Sequence, residues 1–362
     1  MKTIAIDQSS ILISSLMSFI ASDKIKSKDA PLSNPDDVAM FSDILISRVS
    51  NILCDIAEPG DRVVLCMDKK DGESKYWRHR LSNRVAGLYK INRDGSIFDT
   101  ISVEGLNEAR DRYFNWCLDN RIRKLSLEGF EADDIIAELI TRTPQSIIIS
   151  PDGDFNQLIT SPSILRIDPI RWRAYRCNVD SSDWFGDHSF DGMWVDSILK
   201  TLGITDVTLV NANFSLLTKI LMGDKSDCIP SVHTSTTSTG RTMGVGEKTA
   251  AKMILSVFSD IASVKHYNDL STAEKTAMCN VLKNPDMNDV LRRMNENAEM
   301  IILRNSQLNE ILNPVTSLVD DLDTDSQDSL FKGVKGVSVS DASSVIIRTI
   351  ETPKEFSDYV FD

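Results

Sequence analysis

The chain has 362 residues, enough for two or three domains with buried cores and too many for a disulfide-stapled module. Apolar residues make up 41% and charged residues 26%, which is typical of globular proteins and unlike disordered ones. Acidic residues outnumber basic residues by 53 to 40, and the net charge of −13 excludes attraction of the whole molecule to a polyanion. A polyanionic partner therefore requires a local basic surface.

The six cysteines are spread along the chain without a closely spaced pair, which argues against a zinc site and against a disulfide framework. Asp7 interrupts the apolar N-terminus before a signal-peptide core forms, and no apolar segment in the sequence has the length of a membrane span. We therefore expect a cytoplasmic protein that does not contact a membrane.

Short apolar segments rich in β-branched residues predict strands buried on both faces of a sheet, at residues 3–7, 62–68 and 146–152. Helical patterns lie between them, at Pro35–Ala57, Glu104–Leu125 and Ala132–Thr141. Strands that alternate with helices predict an α/β fold with a mostly parallel sheet. The three strand segments end in Asp7, Asp68 and Asp152. Because ligands bind at the carboxyl ends of parallel strands, we expect these aspartates to share one site.

The second half of the chain has a different pattern. After about residue 185 the strand signals fade, and helical patterns predict a mainly helical region. The Ser/Thr-rich segment from Ser231 to Thr242 predicts a flexible surface loop. Five aspartates between Asp320 and Asp328, without a basic neighbour, predict a solvated linker or tail.

Further acids form three clusters: EADD at Glu131–Asp134, DGD at Asp152–Asp154 and GDKSD at Gly223–Asp227. Each cluster alone has a structural explanation, because acids complement the dipole at a helix start and Asp-Gly-Asp is a common turn composition. A calcium-binding loop is excluded for DGDFN, since Gln157 and Ser163 replace the glycine and glutamate that it requires.

As a set, these acids predict a metal site. Eight or nine carboxylates at one edge of a sheet repel one another unless divalent cations neutralise them. Oxygen ligands without histidine or cysteine favour Mg²⁺ or Mn²⁺. A two-ion cluster of this type suits the attack of water on a phosphodiester, because the ions activate the water and stabilise the attacking and leaving oxygens.

A basic segment lies beside the second strand. Between Arg62 and Arg93 there are nine Lys and Arg residues and three acids, and this density of positive charge predicts contacts with phosphates. Tyr76, Trp77 and Tyr89 are interleaved and could stack on unpaired bases. The alternative is a solvated helix whose aromatic side chains pack into the core.

The segment GVGEKTAAKMI (Gly244–Ile254) superficially resembles a phosphate-binding P-loop. Glu247 separates Gly246 from Lys248, which argues against an ATPase. Two glycines before a helix still expose N–H groups that can hold a nucleic-acid phosphate. A helix–turn–helix corner without a ligand is the alternative.

Taken in order, Asp7, Asp68 and four motifs resemble the flap endonuclease or 5′-nuclease family, and most of all its bacteriophage ribonuclease H branch. The motifs are GFEADDIIAEL (129–139), SPDGDFNQL (150–158), LMGDKSDCIP (221–230) and GVGEKTAAK (244–252). The resemblance covers roughly residues 1–260. It implies a PIN-like core, in which helices flank a mostly parallel sheet, joined to a helix–hairpin–helix region. The implied activity is metal-dependent 5′-3′ cleavage that removes RNA primers and adjacent DNA in lagging-strand replication, and also cuts flaps.

The resemblance also implies roles for individual residues. The first ion lies among Asp7, Asp68, Glu131, Asp133 and Asp152, and Asp154, Asp224 and Asp227 serve the second, with Asp134 outside both. Arg78 and Lys90 complete the catalytic set by gripping the phosphate. The implied nucleic-acid contacts are Arg78, Arg80, Arg84, Tyr89, Lys90, Arg93, Gly244, Gly246, Lys248 and Thr249. The cofactors are two Mg²⁺ ions, with Mn²⁺ as a substitute and K⁺ at the hairpin.

Three parts of the chain are expected. Residues 1–190 form the nuclease domain with a basic arch at 69–100, residues 191–315 form a helical domain with the hairpin element at 216–258, and residues 316–362 form an acidic linker and tail. The segment from Glu355 to Asp362 is similar to clamp-binding tails of phage replication proteins, with a packed terminal strand or helix as the alternative.

The expected partners are RNA–DNA and DNA duplexes with 5′ ends or flaps, a sliding clamp and a single-stranded-DNA-binding protein. The protein is expected to be a monomer that a bacteriophage makes in the host cytoplasm. A non-catalytic, structure-specific DNA-binding protein and a metal phosphatase for small esters are the rival functions. The complete carboxylate set argues against the first rival, and the basic aromatic segment with the hairpin argues against the second.

Overall fold

The computed structural model describes residues 1–22, 25–27, 29–73, 75–78, 100–177, 189–236, 240, 242–283, 285–303, 309–324 and 331–332. A seven-stranded sheet lies at its centre, with the strand order β3-β2-β1-β4-β5-β6-β7. In chain order these strands are β1 Thr3–Asp7, β2 Arg62–Cys66, β3 Arg123–Leu125, β4 Ser146–Ile149, β5 Ile164–Asp168, β6 Arg173–Cys177 and β7 Val207–Val210. Within this described sheet, β5 and β6 pair antiparallel and the other neighbours pair parallel.

Helices cover both faces of the sheet because its central strands are apolar on both sides. Successive residues of β1 point to opposite faces, so Ile4 and Ile6 enter one buried core and Ala5 enters the other. The first core contains α1 Gln8–Ile20, α2 Pro35–Ile56, α3 Val103–Asp119 and α5 Ser189–Leu202. The second contains α4 Ala132–Thr141, α6 Ala212–Met222, α7 Glu247–Leu255, α8 Thr272–Cys279, α9 Met287–Ile301 and α10 Asn309–Thr324. The predicted α/β fold with a mostly parallel sheet is confirmed.

In the register of the sheet, the carboxyl ends of β1, β2 and β4 lie side by side. Ile6 of β1 pairs with Leu65 of β2 on one side and with Ile149 of β4 on the other. The strands β2 and β4 end at Cys66 and Ile149, earlier than predicted, so Asp68 and Asp152 lie in the loops that follow them. All three predicted aspartates therefore lie at the same edge of the sheet.

The predicted helix Glu104–Leu125 is too long. The helix ends at Asp119, and Arg121 adopts a positive φ of 54°, which reverses the chain. Residues 123–125 then pair with β2 as the edge strand β3. The apolar periodicity of the segment does not reveal this turn because the chain reversal depends on one backbone dihedral.

The predicted second region is mainly helical in the structure, but it also contains β7. This strand lies beyond the predicted boundary at residue 190, but it pairs with β6 in the central sheet. The predicted flexible loop Ser231–Thr242 is wrong in part, because β8 Thr234–Thr236 and β9 Thr242–Gly244 pair antiparallel. The division into three parts remains a prediction.

The acidic segment predicted as a solvated linker begins as a helix. Helix α10 extends to Thr324, and Arg142 binds both Asp320 and Asp323. Residues 325–330 and 333–362, which include the predicted clamp-binding segment, lie outside the described residues.

Across the part of the chain that the structure describes, no helix combines the length and the apolar character needed to cross a membrane.

Candidate active site at the carboxyl ends of the strands

The hydroxyl group of Ser150 forms hydrogen bonds with the carboxylate of Asp7 and with the backbone N–H of Asp152. Asp7 is the last residue of β1 and is 1% exposed, and its carboxylate accepts hydrogen bonds from Ser10 N at 3.2 Å and Ser150 Oγ at 2.7 Å. Ser150 Oγ in turn accepts a hydrogen bond from Asp152 N at 3.0 Å. Ser150 therefore fixes the distance between the ends of β1 and β4, a role that the sequence analysis did not assign.

Asp68 connects the end of β2 to the EADD cluster. Its Oδ1 accepts a hydrogen bond from the backbone N–H of Ala132, the first residue of α4, at 2.7 Å. This bond satisfies one of the free N–H groups at the start of the helix. The neighbouring Asp133 lies close enough to Cys66 to raise the pKa of that buried thiol, after burial itself, and Asp7 acts on the same thiol. The start of α4 thus lies beside the ends of β1 and β2.

The pKa values of two of these carboxyl groups are raised. Burial raises the pKa of Asp7 from 3.8 to about 6; the charge of Asp68 adds to this shift, and the hydrogen bonds from Ser10 and Ser150 oppose it. Burial raises the pKa of Asp152 from 3.8 to about 7; the charges of Asp154 and Asp7 add to this shift, and the charge of Lys219 opposes it. Both shifts favour the neutral carboxyl group, because burial and neighbouring negative charges disfavour the ionised form.

A small cavity lies at this edge of the sheet, and four of the predicted aspartates line it. They come from α4, from the 3₁₀ helix Gly153–Leu158 and from the loop after α6, namely Asp133, Asp154, Asp224 and Asp227. Arg78 and Lys219 also line this cavity. Acids that are up to 94 positions apart in the sequence thus line one cavity.

Lys219 is a residue of this site that the sequence analysis missed. Its Nζ contacts Asp154 Oδ1 and lies 2.7 Å from Asp224 Oδ2. Although burial opposes both shifts, this contact lowers the pKa of Asp224 to about 2, and the surrounding acids raise the pKa of Lys219. The available signal was the lysine itself, which is the one charged residue of helix α6 and lies one turn before the GDKSD motif.

The loop that carries Asp224 and Asp227 is held at both ends. Gly223 has a φ of +74°, and a Cβ there would lie 2.4 Å from the Ile229 carbonyl oxygen, so the tight turn requires glycine. Asn297 of α9 donates from Nδ2 to the carbonyl oxygens of Ile220 at 2.9 Å and Pro230 at 2.8 Å. Asn297, which the sequence analysis also missed, lies about 70 residues from the loop that it stabilises.

Arg78, predicted to grip a phosphate, is buried among acids. Its Nη1 lies 2.7 Å from Glu131 Oε2 and its Nη2 lies 2.8 Å from Asp134 Oδ1. Trp77 Nε1 donates to Asp134 Oδ2 at 2.9 Å. Asp134 thus binds Arg78 and Trp77 and is not among the residues that line the cavity, and Glu131 forms an ion pair with Arg78. Of the other predicted arch residues, Arg80, Arg84, Tyr89, Lys90 and Arg93 lie outside the described residues.

The glycine motif forms an exposed helix start. Gly246 is the N-cap of α7 and makes no side-chain capping bond, and Lys248 and Thr249 follow in the exposed first turn. Gly244 ends β9, and Val245 N donates to Ser231 Oγ at 2.8 Å. The predicted duplex contacts of this motif are thus accessible and are attached to the end of the loop that carries Asp224.

The chemistry of the ligand atoms fits a hard divalent cation. The predicted ligands supply carboxylate oxygens, which Mg²⁺ and Mn²⁺ prefer, and a cation beside Asp7 and Asp152 would relieve the penalty that raises their pKa values. Among the residues that the structure describes, no three side chains of the His, Cys, Asp and Glu types already stand as ligands of one ion. Arg78 and Lys219 hold several of these carboxylates instead.

Residues 7–181 match the family described as 5′-3′ exonuclease, N-terminal resolvase-like domain. DNA polymerase I of Synechocystis sp. is 27% identical over 192 residues, which are 49% of this chain and 16% of that protein. Ribonuclease H of Enterobacteria phage T4 is 27% identical over 183 residues, which are 47% of this chain and 46% of that protein. The chain thus spans less than half the length of either relative.

Among solved structures, the chain is similar to the bacteriophage T5 flap endonuclease in a pseudo-enzyme–product complex with DNA and metal ions. The two chains are 15% identical, with a TM-score of 0.47, and the match covers 88% of this chain and 100% of that chain.

Proposed function

We propose that this chain, whose residues 7–181 match the 5′-3′ exonuclease N-terminal domain, is a metal-dependent nuclease that hydrolyses phosphodiester bonds at 5′ ends. The observation that carries the proposal is the convergence of Asp7, Asp68, Asp133 and Asp152 at one edge of the sheet, with raised pKa values for Asp7 and Asp152. Burial and the neighbouring carboxylates disfavour the ionised forms of Asp7 and Asp152, and a bound divalent cation would offset this penalty.

Two ions are proposed. Asp7, Asp68, Glu131, Asp133 and Asp152 would hold the first, and Asp154, Asp224 and Asp227 the second. Bound Mg²⁺, or Mn²⁺ in its place, supplies a lowered pKa for the attacking water and neutralises charge on the phosphate oxygens. Hydrogen bonds hold three of these carboxylates beforehand: Asp7 accepts from Ser150 Oγ, Asp152 from Asp154 N, and Asp68 from the N–H at the start of α4.

The proposed roles of the cationic side chains follow from their positions. Arg78 lines the cavity with Asp133 and Asp154, and we propose that its guanidinium grips the phosphate, with Lys90 as its partner, by exchanging its ion pairs with Glu131 and Asp134. Gly244, Gly246, Lys248 and Thr249 at the start of α7 are proposed to bind the duplex backbone, which needs N–H groups and positive charge but no base contacts. K⁺ at this hairpin is part of the same proposal.

The proposed substrates are RNA–DNA and DNA duplexes with 5′ ends or flaps, and the proposed task is primer removal in lagging-strand replication. The names of the relatives, a ribonuclease H and a DNA polymerase I, support this substrate class. We also propose a cytoplasmic monomer made by a bacteriophage, with a clamp and a single-stranded-DNA-binding protein as partners. Deleting residues 350–362 should abolish stimulation by the clamp and leave basal cleavage intact, and unchanged stimulation would reject the clamp contact.

The test uses 5′-labelled flap and RNA–DNA substrates with Mg²⁺, with Mn²⁺ and with chelator. Short 5′ products should appear only with a divalent cation. Asp152→Asn should lose cleavage and retain substrate binding, whereas Asp111→Asn, which changes an exposed acid on α3, should behave as the wild type. Cleavage that persists in chelator, or near-normal turnover of Asp152→Asn, would refute the proposal. Tight binding without any cleavage would favour the structure-specific DNA-binding protein, and cleavage of small phosphate esters alone would favour the phosphatase.

A further inference from the structure

Lys219 occupies a specific place in the carboxylate cluster. It projects from α6 toward the cavity, where its Nζ contacts Asp154 and lies 2.7 Å from Asp224 Oδ2. These acids come from different elements, the 3₁₀ helix after β4 and the loop after α6. Both are proposed ligands of the second ion, and the inference below rests on the proposed function.

The ammonium group and a divalent ion cannot use these oxygens at the same time. Mg²⁺ needs its ligand oxygens at about 2.1 Å in a nearly ideal octahedron, so an ion between Asp154 and Asp224 would lie in direct contact with the ammonium nitrogen. Two cations in contact repel strongly in a partly buried site. The Lys219 side chain is 25% exposed, so it has a route to solvent along its flexible stem.

We propose that Lys219 is a displaceable internal counter-ion: its ammonium holds Asp154 and Asp224 in the metal-free protein and moves out when the second divalent cation binds. Lys219 contacts two proposed ligands of the second ion at once, whereas at the first site Arg78 pairs with Glu131, and the carboxylates of Asp7 and Asp152 accept hydrogen bonds from Ser150 Oγ and Asp154 N. The second ion therefore binds more weakly than the first, because only the fraction of molecules with the lysine displaced is competent to bind it. If that fraction is about one tenth, the apparent affinity falls about tenfold.

The first arm of the test is calorimetric titration of the metal-free, full-length protein with Mg²⁺ alone. Lys219→Met removes the ammonium and keeps a side chain of similar length, whereas Lys225→Met removes an exposed ammonium from the loop between Asp224 and Asp227. The wild type should bind a stronger and a weaker ion. Lys219→Met should bind the weaker ion about tenfold more tightly, and Lys225→Met should resemble the wild type.

The second arm uses the wild-type protein, so it does not depend on the folding of a variant. Reductive methylation with formaldehyde, read by mass spectrometry, should label Lys219 slowly without metal and faster as the weaker site fills, relative to the exposed Lys200 on α5. Constant labelling of Lys219 across a titration that fills both sites would overturn the counter-ion proposal alone. Filling of a single site, with Lys219 protected throughout, would also overturn it, because the lysine would then be a permanent ion pair. Absence of any Mg²⁺ binding would refute the proposed function itself.

Discussion

Acidic side chains gather in two regions of this molecule, and their surroundings differ. In the group around α10, guanidinium groups hold the acids: Arg142 lies 2.7 Å from Glu138 and 2.5 Å from Asp320, and Arg62 lies 2.5 Å from Asp323. At the ends of β1 and β4, the carboxylates of Asp7 and Asp152 accept hydrogen bonds from hydroxyl and backbone N–H groups and face other carboxylates, and the charge of Lys219 acts on Asp152 from a distance.

The difference separates acids that hold a fold together from acids that prepare a binding site. An acid with a guanidinium partner is already neutralised, and it fastens one element to another. Buried acids that face other acids are destabilising unless an external cation joins them, because burial and repulsion both oppose their ionised form. We therefore expect the acids at the strand ends to take part in catalysis and the acids around α10 to hold the fold together, although both groups are acidic residues.

Substitution of Asp152 should have the largest effect on activity. Asp152→Asn removes one proposed ligand charge, and metal ions supply several kcal/mol of transition-state stabilisation, so cleavage should fall about a thousandfold or more. Asp320→Asn should change cleavage by less than about twofold, since surface pairs contribute little beyond local stability. Initial rates on a 5′-labelled flap measure both effects, and equal losses in the two variants would remove the distinction between the regions.

The same substitutions should have opposite effects on the stability of the metal-free protein. The folded-state pKa values of Asp7 and Asp152, about 6 and about 7, lie above the ordinary 3.8, so their ionised forms destabilise the fold. This penalty is full above about pH 7 and disappears below about pH 4. At pH 8, Asp152→Asn should raise the free energy of unfolding by on the order of 2 to 4 kcal/mol, and Asp320→Asn should lower it.

Urea denaturation of the metal-free proteins at pH 8 and pH 5.5 measures these changes. The gain from Asp152→Asn should shrink at pH 5.5, because the wild-type carboxyl group is then largely protonated. A destabilised Asp152→Asn protein at pH 8 would contradict the raised pKa of Asp152.

Mg²⁺ should stabilise the protein through the strand-end region alone. At a concentration about 100 times the dissociation constant, an ion that binds only the folded state adds about 2.7 kcal/mol. The melting temperature at pH 8 should rise when Mg²⁺ is added and should fall back to its metal-free value when chelator is added. Asp152→Asn should show a much smaller rise and Asp320→Asn the full rise, and a full rise in both variants would place the ion elsewhere.

The smallest expected effect concerns the attachment of α10. Arg142→Met removes a partly buried guanidinium that binds Glu138 and Asp320, and we expect a loss of about 1 to 2 kcal/mol in the free energy of unfolding. Because Asp320 loses its partner in that variant, adding Asp320→Asn should cost little more. If the losses in the free energy of unfolding from the two substitutions add fully, the contact between Arg142 and Asp320 does not itself stabilise the fold.

The long elements of the fold could be predicted from the sequence. The prediction for α4, Ala132–Thr141, matches the structure, and that for α2, Pro35–Ala57, differs by one residue, because amphipathic periodicity over several turns is a strong signal. The short strands β3 and β7 gave no such signal. They have three and four residues, and their position depends on pairing with β2 and β6.

The carboxylates of the site could also be predicted, since strand ends and acid motifs are local patterns. Lys219, Ser150 and Asn297 could not, because their roles depend on distant partners: Asn297 contacts carbonyl groups 77 and 67 residues away. The same limitation explains why Asp320 was wrongly predicted to lie in a solvated linker. Its partner Arg142 lies 178 residues earlier in the chain.

The most direct test of the central claim is the anomalous scattering of Mn²⁺ in crystals of the wild-type protein. The account predicts a strong peak among Asp7, Asp68, Asp133 and Asp152, and a weaker one that appears beside Asp154 and Asp224 at higher Mn²⁺ concentration. Saturating Mn²⁺ that leaves the strand ends without a peak, or that binds only at the acids of α10, would contradict it.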